Sequence, residues 1–374
     1  MSEVTDIEAA GSETRSGRKV GPVTNSFIIR LKPGLSRDDA PNNMTVPGSC
    51  GMPGPARGVP QPDIRNVPQP DIRDVFARHS PAIYSSHEPL AEAGVVVTAI
   101  GPSGFEGSAV IAARPDLMNV ITIGRHSNAN LFLSQDPAMS LRQGAVIVYP
   151  HTNGEGVRFR ILDLRAVRPF EDELGRQFEA LEAEGPVFLR AGAYTLFVIP
   201  KEAGTPFCPE TAWEDLAERI HLEEAVLGHR RVSRIPNRMA HAWDATVILR
   251  LPGPVFDHEQ LLEDGENPQG MLVVRSAQGE MRLLLGRTAA SRGVLLGRYP
   301  RCDGGEMGIL CDPAISRVHA LVIEIAGSLY ALDAGSSNGL WIGSDRVRMA
   351  RLVPGLMVSL AGGVGTIEWR LTPS

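Results

Sequence analysis

The sequence predicts an all-β protein of two β-sandwiches in tandem, joined by a linker with a short helix and preceded by a disordered N-terminal tail. Three observations carry this expectation. Short β-branched runs broken by turn residues fill 92–200 and again 270–374, and such runs without helical periodicity indicate sandwiches or barrels. The two regions share one order of features, as a duplicated unit does. The flanking stretches, 1–91 and 201–269, lack the pattern.

Composition narrows the function classes. The chain has 374 residues, enough for two domains and tails. Its 39 Gly and 29 Pro against 5% aromatic residues point to many turns. A net charge of −6 with no basic stretch dominating argues against a nucleic-acid partner. The four cysteines, Cys50, Cys208, Cys302 and Cys311, form no CxxC pair, so free thiols in a reducing cytoplasm are expected rather than disulfides or a metal site. The N-terminus MSEVTDIEAA is acidic where a signal peptide is basic, and no apolar run reaches membrane-span length. A cytoplasmic protein with no membrane partner and no cofactor is expected.

Each element can be justified in order. The stretch 1–91 is rich in Pro, Gly, Ser and Asp, so it buries too little apolar area to offset chain entropy. Within it VPQPDIRN at 59–66 recurs as VPQPDIRD at 67–74, a Pro-x-Pro unit suited to an extended spacer or to a docking peptide. Strands follow at 94–100, ended by Gly101-Pro102, then at 108–113, at 119–123 running into Gly124-Arg125, and at 145–149. A turn at Thr152-Asn153-Gly154, strand 157–162 and strand 194–199 complete this region, with a short helix expected inside 170–185. In 201–269 Thr211 and Glu214 form a capping box for a helix through Trp213 and Ile220. From 270 a hairpin, 271–275 and 280–285, leads through 293–296 into Gly297-Arg298 and later strands.

The repeat is explicit. TIGRHSNANLFLSQDPAMSLRQGAVIV at 122–148 aligns with LLGRYPRCDGGEMGILCDPAISRVHALVI at 295–323, and the strand holding Asp163 aligns with that holding Asp333. Gly124-Arg125 and Ser140 persist in the first copy. Leu141 replaces Arg317, Gln143 replaces His319, and Ala166-Val167-Arg168-Pro169 replaces Ser336-Ser337-Asn338-Gly339. The first copy keeps the scaffold and loses much of the polar set.

In the second copy three clusters stand in turns: Gly297-Arg298, Ser316-Arg317-Val318-His319 and Ser336-Ser337-Asn338-Gly339. A guanidinium, small hydroxyls and an amide suit an anion attached to a peptide. In this order and spacing the region resembles a forkhead-associated (FHA) domain, and 92–200 resembles a degenerate one. The resemblance implies two FHA-type (SMAD/FHA-like) sandwiches, the second reading phosphothreonine peptides with Arg298, Ser316, Arg317, Ser337 and Asn338. Gly297, His319 and Gly339 support the site, His319 as a brace of the loops.

A phosphothreonine-binding adaptor in Ser/Thr kinase signalling is therefore expected, its partner a phosphothreonine-containing protein such as a kinase or its substrate. The alternative is a phospho-independent scaffold within a bacterial signalling or secretion assembly. Thr5, with Glu8 three residues on, is a candidate internal ligand. No enzyme is expected: there is no P-loop, kinase signature or triad order, and Ser316 lacks a nucleophile elbow. Catalytic and metal-ligating residues are expected to be none.

Overall fold

The computed structural model describes residues 70–115, 117–151, 156–202, 213–223, 245–255 and 261–371, with the backbone of 30–31. The first part contributes β1 (Arg30–Leu31), α1 (Ile72–Ser85), β2 (Gly94–Gly101), β3 (Gly104–Ala112), β4 (Asn119–Gly124), β5 (Leu131–Phe132), β6 (Gly144–Val148) and β7 (Phe159–Asp163). It continues with β8 (Phe170–Asp172), β9 (Gln177–Phe178), β10 (Ala180–Ala183), β11 (Val187–Ala191), β12 (Tyr194–Lys201), β13 (Glu218–Glu223) and β14 (Ala245–Leu251). The second comprises β15 (Gly270–Ser276), β16 (Gly279–Leu285), α2 (Arg287–Arg292), β17 (Val294–Leu296), β18 (Ala320–Ile325) and β19 (Ser328–Asp333). It ends with β20 (Leu340–Ile342), β21 (Asp345–Val347), β22 (Met349–Arg351), β23 (Met357–Leu360) and β24 (Gly365–Arg370).

Strand order proves the duplication. The second sandwich pairs β16-β15-β24-β23-β20-β21 in one sheet and β17-β18-β19-β22 in the other. The first repeats these orders as β3-β2-β12-β11-β8-β9 and β4-β6-β7-β10. It adds β1 beside β3, β5 beside β4, and β14 and β13 beyond β10. Each sandwich closes on its own core, with Val97, Ile123, Val146 and Leu196 in the first and Val274, Leu296, Val322 and Ile367 in the second.

The β4-β6-β7-β10 and β17-β18-β19-β22 sheets also pack against each other. Ala145, Ile147, Leu162 and Leu164 from the first form one buried cluster with Leu321, Ile323, Leu332 and Ala334 from the second. These are the same four positions of the repeat, so the contact is approximately two-fold. It accounts for the unbroken apolar strands GAVIV and ALVI: alternate residues fill the sandwich core and the seam between sandwiches. By contrast β16, at a sheet edge, alternates between buried and exposed residues as one-sided strands do. Burying a Leu or Ile is worth about 1.5–3 kcal/mol, so the seam joins the copies into four stacked sheets.

Several expectations are corrected. The part of 1–91 that is described holds a helix, α1, in which the Asp71 side chain accepts from the Arg73 amide at 2.8 Å. Ile72, Val75, Phe76 and Ile83 lie against Phe188, Phe197 and Ile199 on the open face of the first sandwich, and Phe76 meets the Trp213 ring at 5.4 Å. That face needs an apolar cover, which the tail's composition does not reveal. The helix expected inside 170–185 is instead β8, β9 and β10. There, pairing of Ala180–Ala183 with β7 and β14 overrides the helix propensity of Glu and Leu. Glu182, buried in β10, accepts from the Tyr149 hydroxyl at 2.5 Å and from Arg158 Nε at 2.8 Å.

The linker differs likewise. Its helix is a single 3-10 turn, Trp213–Asp215, while β13 and β14 run parallel to each other and extend the first sandwich. ATVILRL at 245–251 carries that strand signal. Thr211, Thr5, Cys50, Cys208, the Thr152-Asn153-Gly154 turn and most of the VPQP repeat lie outside the described residues. Among the described residues no helix is long and apolar enough to cross a membrane, and no group of three His, Cys, Asp or Glu side chains could hold a metal ion.

Candidate functional site

At one end of the second sandwich three turns meet: 297–302 after β17, 312–319 before β18, and 333–339 after β19. Their backbones interlock. The Arg298 amide donates to Ser316 O at 3.2 Å, and the Tyr299 amide to Arg317 O at 3.0 Å. Gly297 is required by this approach, because a Cβ there would sit 2.2 Å from Arg317 O.

His319 is the brace. Fully buried, its Nδ1 accepts from the Ser316 amide at 3.0 Å, so Nε2 carries the proton and donates to Gly339 O at 3.0 Å. Burial holds its pKa below the usual histidine value, which fixes the neutral ring. Two loops are thus tied through one imidazole. The last loop is folded by its own side chains: Asp333 Oδ1 accepts from the Ser336 amide at 2.7 Å, and Ser336 Oγ from the Gly339 amide at 2.8 Å. Gly339 holds φ +78°, a conformation glycine adopts without a Cβ penalty.

What remains outward is a set of donors. Arg298 and Arg317 are exposed, and neither guanidinium has a hydrogen-bond or ion-pair partner among the described residues. Ser316 Oγ accepts from the Ser337 amide at 3.1 Å, which leaves the hydroxyl proton to donate elsewhere. Asn338 Nδ2 donates to Ala314 O at 2.8 Å, orienting the amide with its carbonyl oxygen unspent. Ser337 is exposed beside it. Arg346, which the sequence reading did not single out, donates from Nη2 to Ser337 O at 3.4 Å, and Trp341 Nε1 donates to Asn338 O at 2.8 Å. Both follow the Ser-Asn-Gly cluster on β20 and β21, in no recognisable motif.

The first sandwich reproduces this network with different chemistry. Gln143 Oε1 accepts from the Ser140 amide at 3.3 Å, as His319 Nδ1 does from the Ser316 amide, and its Nε2 donates to Arg168 O at 2.7 Å, one residue before the position that Gly339 holds in the second copy. Ser140 Oγ accepts from the Val167 amide at 3.0 Å, as Ser316 does from Ser337. Arg125 is turned inward, with Nε donating to Met139 O at 3.1 Å. Leu141 and Val167 stand exposed where Arg317 and Ser337 are. The loops persist; the outward donors do not.

One replacement runs against backbone preference. Arg165 holds φ +62° at the position where the second copy has Gly335 at φ +76°. A left-handed conformation costs an L-residue about 1–2 kcal/mol. The Arg165 side chain is buried, donating to Arg301 O, with Nη2 3.8 Å from Asp303 Oδ1.

Fold and loops together define a β-sandwich module that presents unpartnered guanidinium and hydroxyl donors at one end. Residues 294–361 match the FHA domain family, and the C-terminal sandwich is an FHA domain; the first sandwich, with the same strand order, is FHA-like. No curated protein matches the chain. Among solved structures it is similar to the Rv1747 FHA-1 domain of Mycobacterium tuberculosis, at 27% identity over 29% of this chain and 100% of that one, with a TM-score of 0.24. It is also similar to the FhaA FHA domain complexed with the intracellular domain of Rv3910, at 21% identity over 27% and 99% of the two chains, TM-score 0.22. Mycobacterium tuberculosis EmbR, in complex with a low-affinity phosphopeptide, shares 19% identity over 31% of this chain and 28% of that one, TM-score 0.23.

Proposed function

We propose that the chain is a phosphothreonine-dependent adaptor, taking its input from a Ser/Thr kinase and binding a phosphorylated protein through the C-terminal FHA domain. The observation that carries this reading is the exposed, unpartnered Arg298 guanidinium on a turn whose backbone is bonded to Ser316, with the Ser316 and Gly339 turns locked by His319. A phosphothreonine brings close to two negative charges and three acceptor oxygens. A guanidinium fork matches them without a protonation cost. In this reading Arg298 and Ser316 hold the phosphate, Arg317 adds charge at the rim, Ser337 lines the space for the threonine methyl, and Asn338 meets the peptide backbone. The site offers several outward donors for an anion, which suits recognition of a charged group.

Titrating the full chain with a phosphothreonine peptide library and its unphosphorylated twin, by calorimetry, tests the reading. Selective binding of phosphorylated members is expected; equal binding of both sets overturns it. The second reading, a phospho-independent scaffold in a signalling or secretion assembly, is favoured by the first sandwich, whose loops survive with Leu141 and Val167 in place of donors. Partners retained by an Arg298→Ala chain in a pull-down would support it. Phosphorylated Thr5 as an internal ligand belongs to the first reading, and deletion of 1–20 from the phosphorylated chain should then restore peptide binding.

A further inference from the structure

The turns of the second sandwich do not stand alone. Three side chains of the first reach across the seam to their backbone carbonyls. Asn128 Nδ2 donates to Ser336 O at 3.0 Å, and Arg142 Nη2 to Gly335 O at 3.0 Å. Arg165 donates from Nη1 to Arg301 O and lies against Asp303, whose Oδ2 accepts from the Leu295 amide at 2.8 Å. Asn128 and Arg142 therefore grip the Asp333–Gly339 turn, and Arg165 grips the turn that carries Arg298.

The placement is not a by-product of the shared fold. In the second copy the positions of Arg142 and Arg165 hold Val318 and Gly335, so the guanidiniums belong to the first copy alone. Arg165 also occupies a left-handed backbone position at φ +62° that its counterpart fills with glycine. A strained residue persists where the surrounding contacts over-determine it, and such residues cluster at functional devices. Arg142 is part-buried, and Gly335 packs so closely on the first sandwich that a Cβ there would lie 3.3 Å from Thr122 Oγ1.

We propose that Asn128, Arg142 and Arg165 are positioning residues for the peptide-binding turns of the other sandwich, so that the first copy, which gave up its own donors, sets the affinity of the second. The proposal rests on the phosphopeptide reading of Arg298 and Ser316. Its physical content is preorganisation: turns fixed before the ligand arrives lose less freedom on binding. The inter-sandwich hydrogen bonds hold the carbonyl side of each turn, which leaves the opposite, donor side facing the peptide.

Full-length variants test it. Arg165→Gly installs the residue that the second copy tolerates at this φ, so the turn of the first sandwich survives while the grip is lost. Asn128→Ala removes an exposed amide. Arg142→Ala removes the donor to Gly335, and Arg142→Lys restores one. Amide NMR signals of Arg298 and Ser337–Gly339 in the unliganded chain should shift or broaden in the first three. Their Kd for the selected phosphothreonine peptide should rise about fivefold or more, the lower end of site-to-site coupling, with recovery in Arg142→Lys. Unchanged loop signals and affinity in both Arg165→Gly and Asn128→Ala overturn the proposal. If the wild-type chain binds no phosphopeptide, the parent reading falls instead, and the loop signals alone still decide whether the turns are held from across the seam.

Discussion

The two sandwiches share a strand order and a bracing network and differ in which way their polar side chains point. In the second, Arg298, Arg317, Ser337 and Asn338 face outward, and the positions equivalent to Arg142 and Arg165 hold Val318 and Gly335. In the first, Leu141 and Val167 face outward, while Arg142 and Arg165 point into the seam. A two-bond brace between the same loops survives a change from histidine to glutamine, with the accepting carbonyl shifted by one residue. Loop geometry and ligand chemistry are thus separable: the former is written in buried hydrogen bonds, the latter in exposed side chains that change without cost to the fold.

The sharpest test of that contrast is to remove the same residue from each copy. Arg298→Ala should weaken phosphopeptide binding about a hundredfold or more, from two lost charge-assisted bonds at roughly 1.5–3 kcal/mol each, whereas Arg125→Ala should leave it unchanged; calorimetry on both variants checks this. The seam can be probed next. Ile147→Ala and Ile323→Ala occupy equivalent, fully buried positions, and each should cost about 2–5 kcal/mol in urea unfolding. Unequal costs would break the two-fold description.

A smaller effect comes from exchanging the braces. His319→Gln installs the bond pair that Gln143 already makes, so peptide binding should be nearly retained and the acid response should change. A buried neutral histidine has a folded pKa below its unfolded value near 6.5. Its contribution to stability is therefore complete above about pH 6.5 and is lost as pH falls through the folded pKa. Asp303 acts oppositely: burial raises its carboxyl to about 7, so that group favours the folded chain most at low pH and the advantage fades between about 4 and 7. Wild type and His319→Gln should diverge below about pH 6.5 in thermal melts, and coincident curves would remove His319 as the titrating brace.

The duplication, the strands and the ordered clusters around Arg298, Ser316 and Asn338 were readable from residue patterns because they are local. Elements decided by distant partners were not. β10 reads as helix until β7 and β14 flank it, and α1, with Pro81 inside, shows no need for itself until the open face under Phe76 is seen. By identity Gln143 reads as a lost histidine, whereas its position requires only one acceptor and one donor, which an amide also supplies. Arg165 did leave a trace, an arginine aligned with a glycine, whose meaning required the backbone angle. The unbroken apolar runs of β6 and β18 were a sign of two-sided burial that strand assignment alone does not use.

The seam has a consequence for modularity. A cut between the sandwiches would bare Leu295, Leu321, Ile323, Ile325 and Leu332, all nearly inaccessible in the whole chain, as one contiguous oily face. Large apolar patches of this kind drive self-association. The C-terminal sandwich should therefore be soluble and monomeric only in the company of the first, and size-exclusion of 270–374 alone against the whole chain checks this.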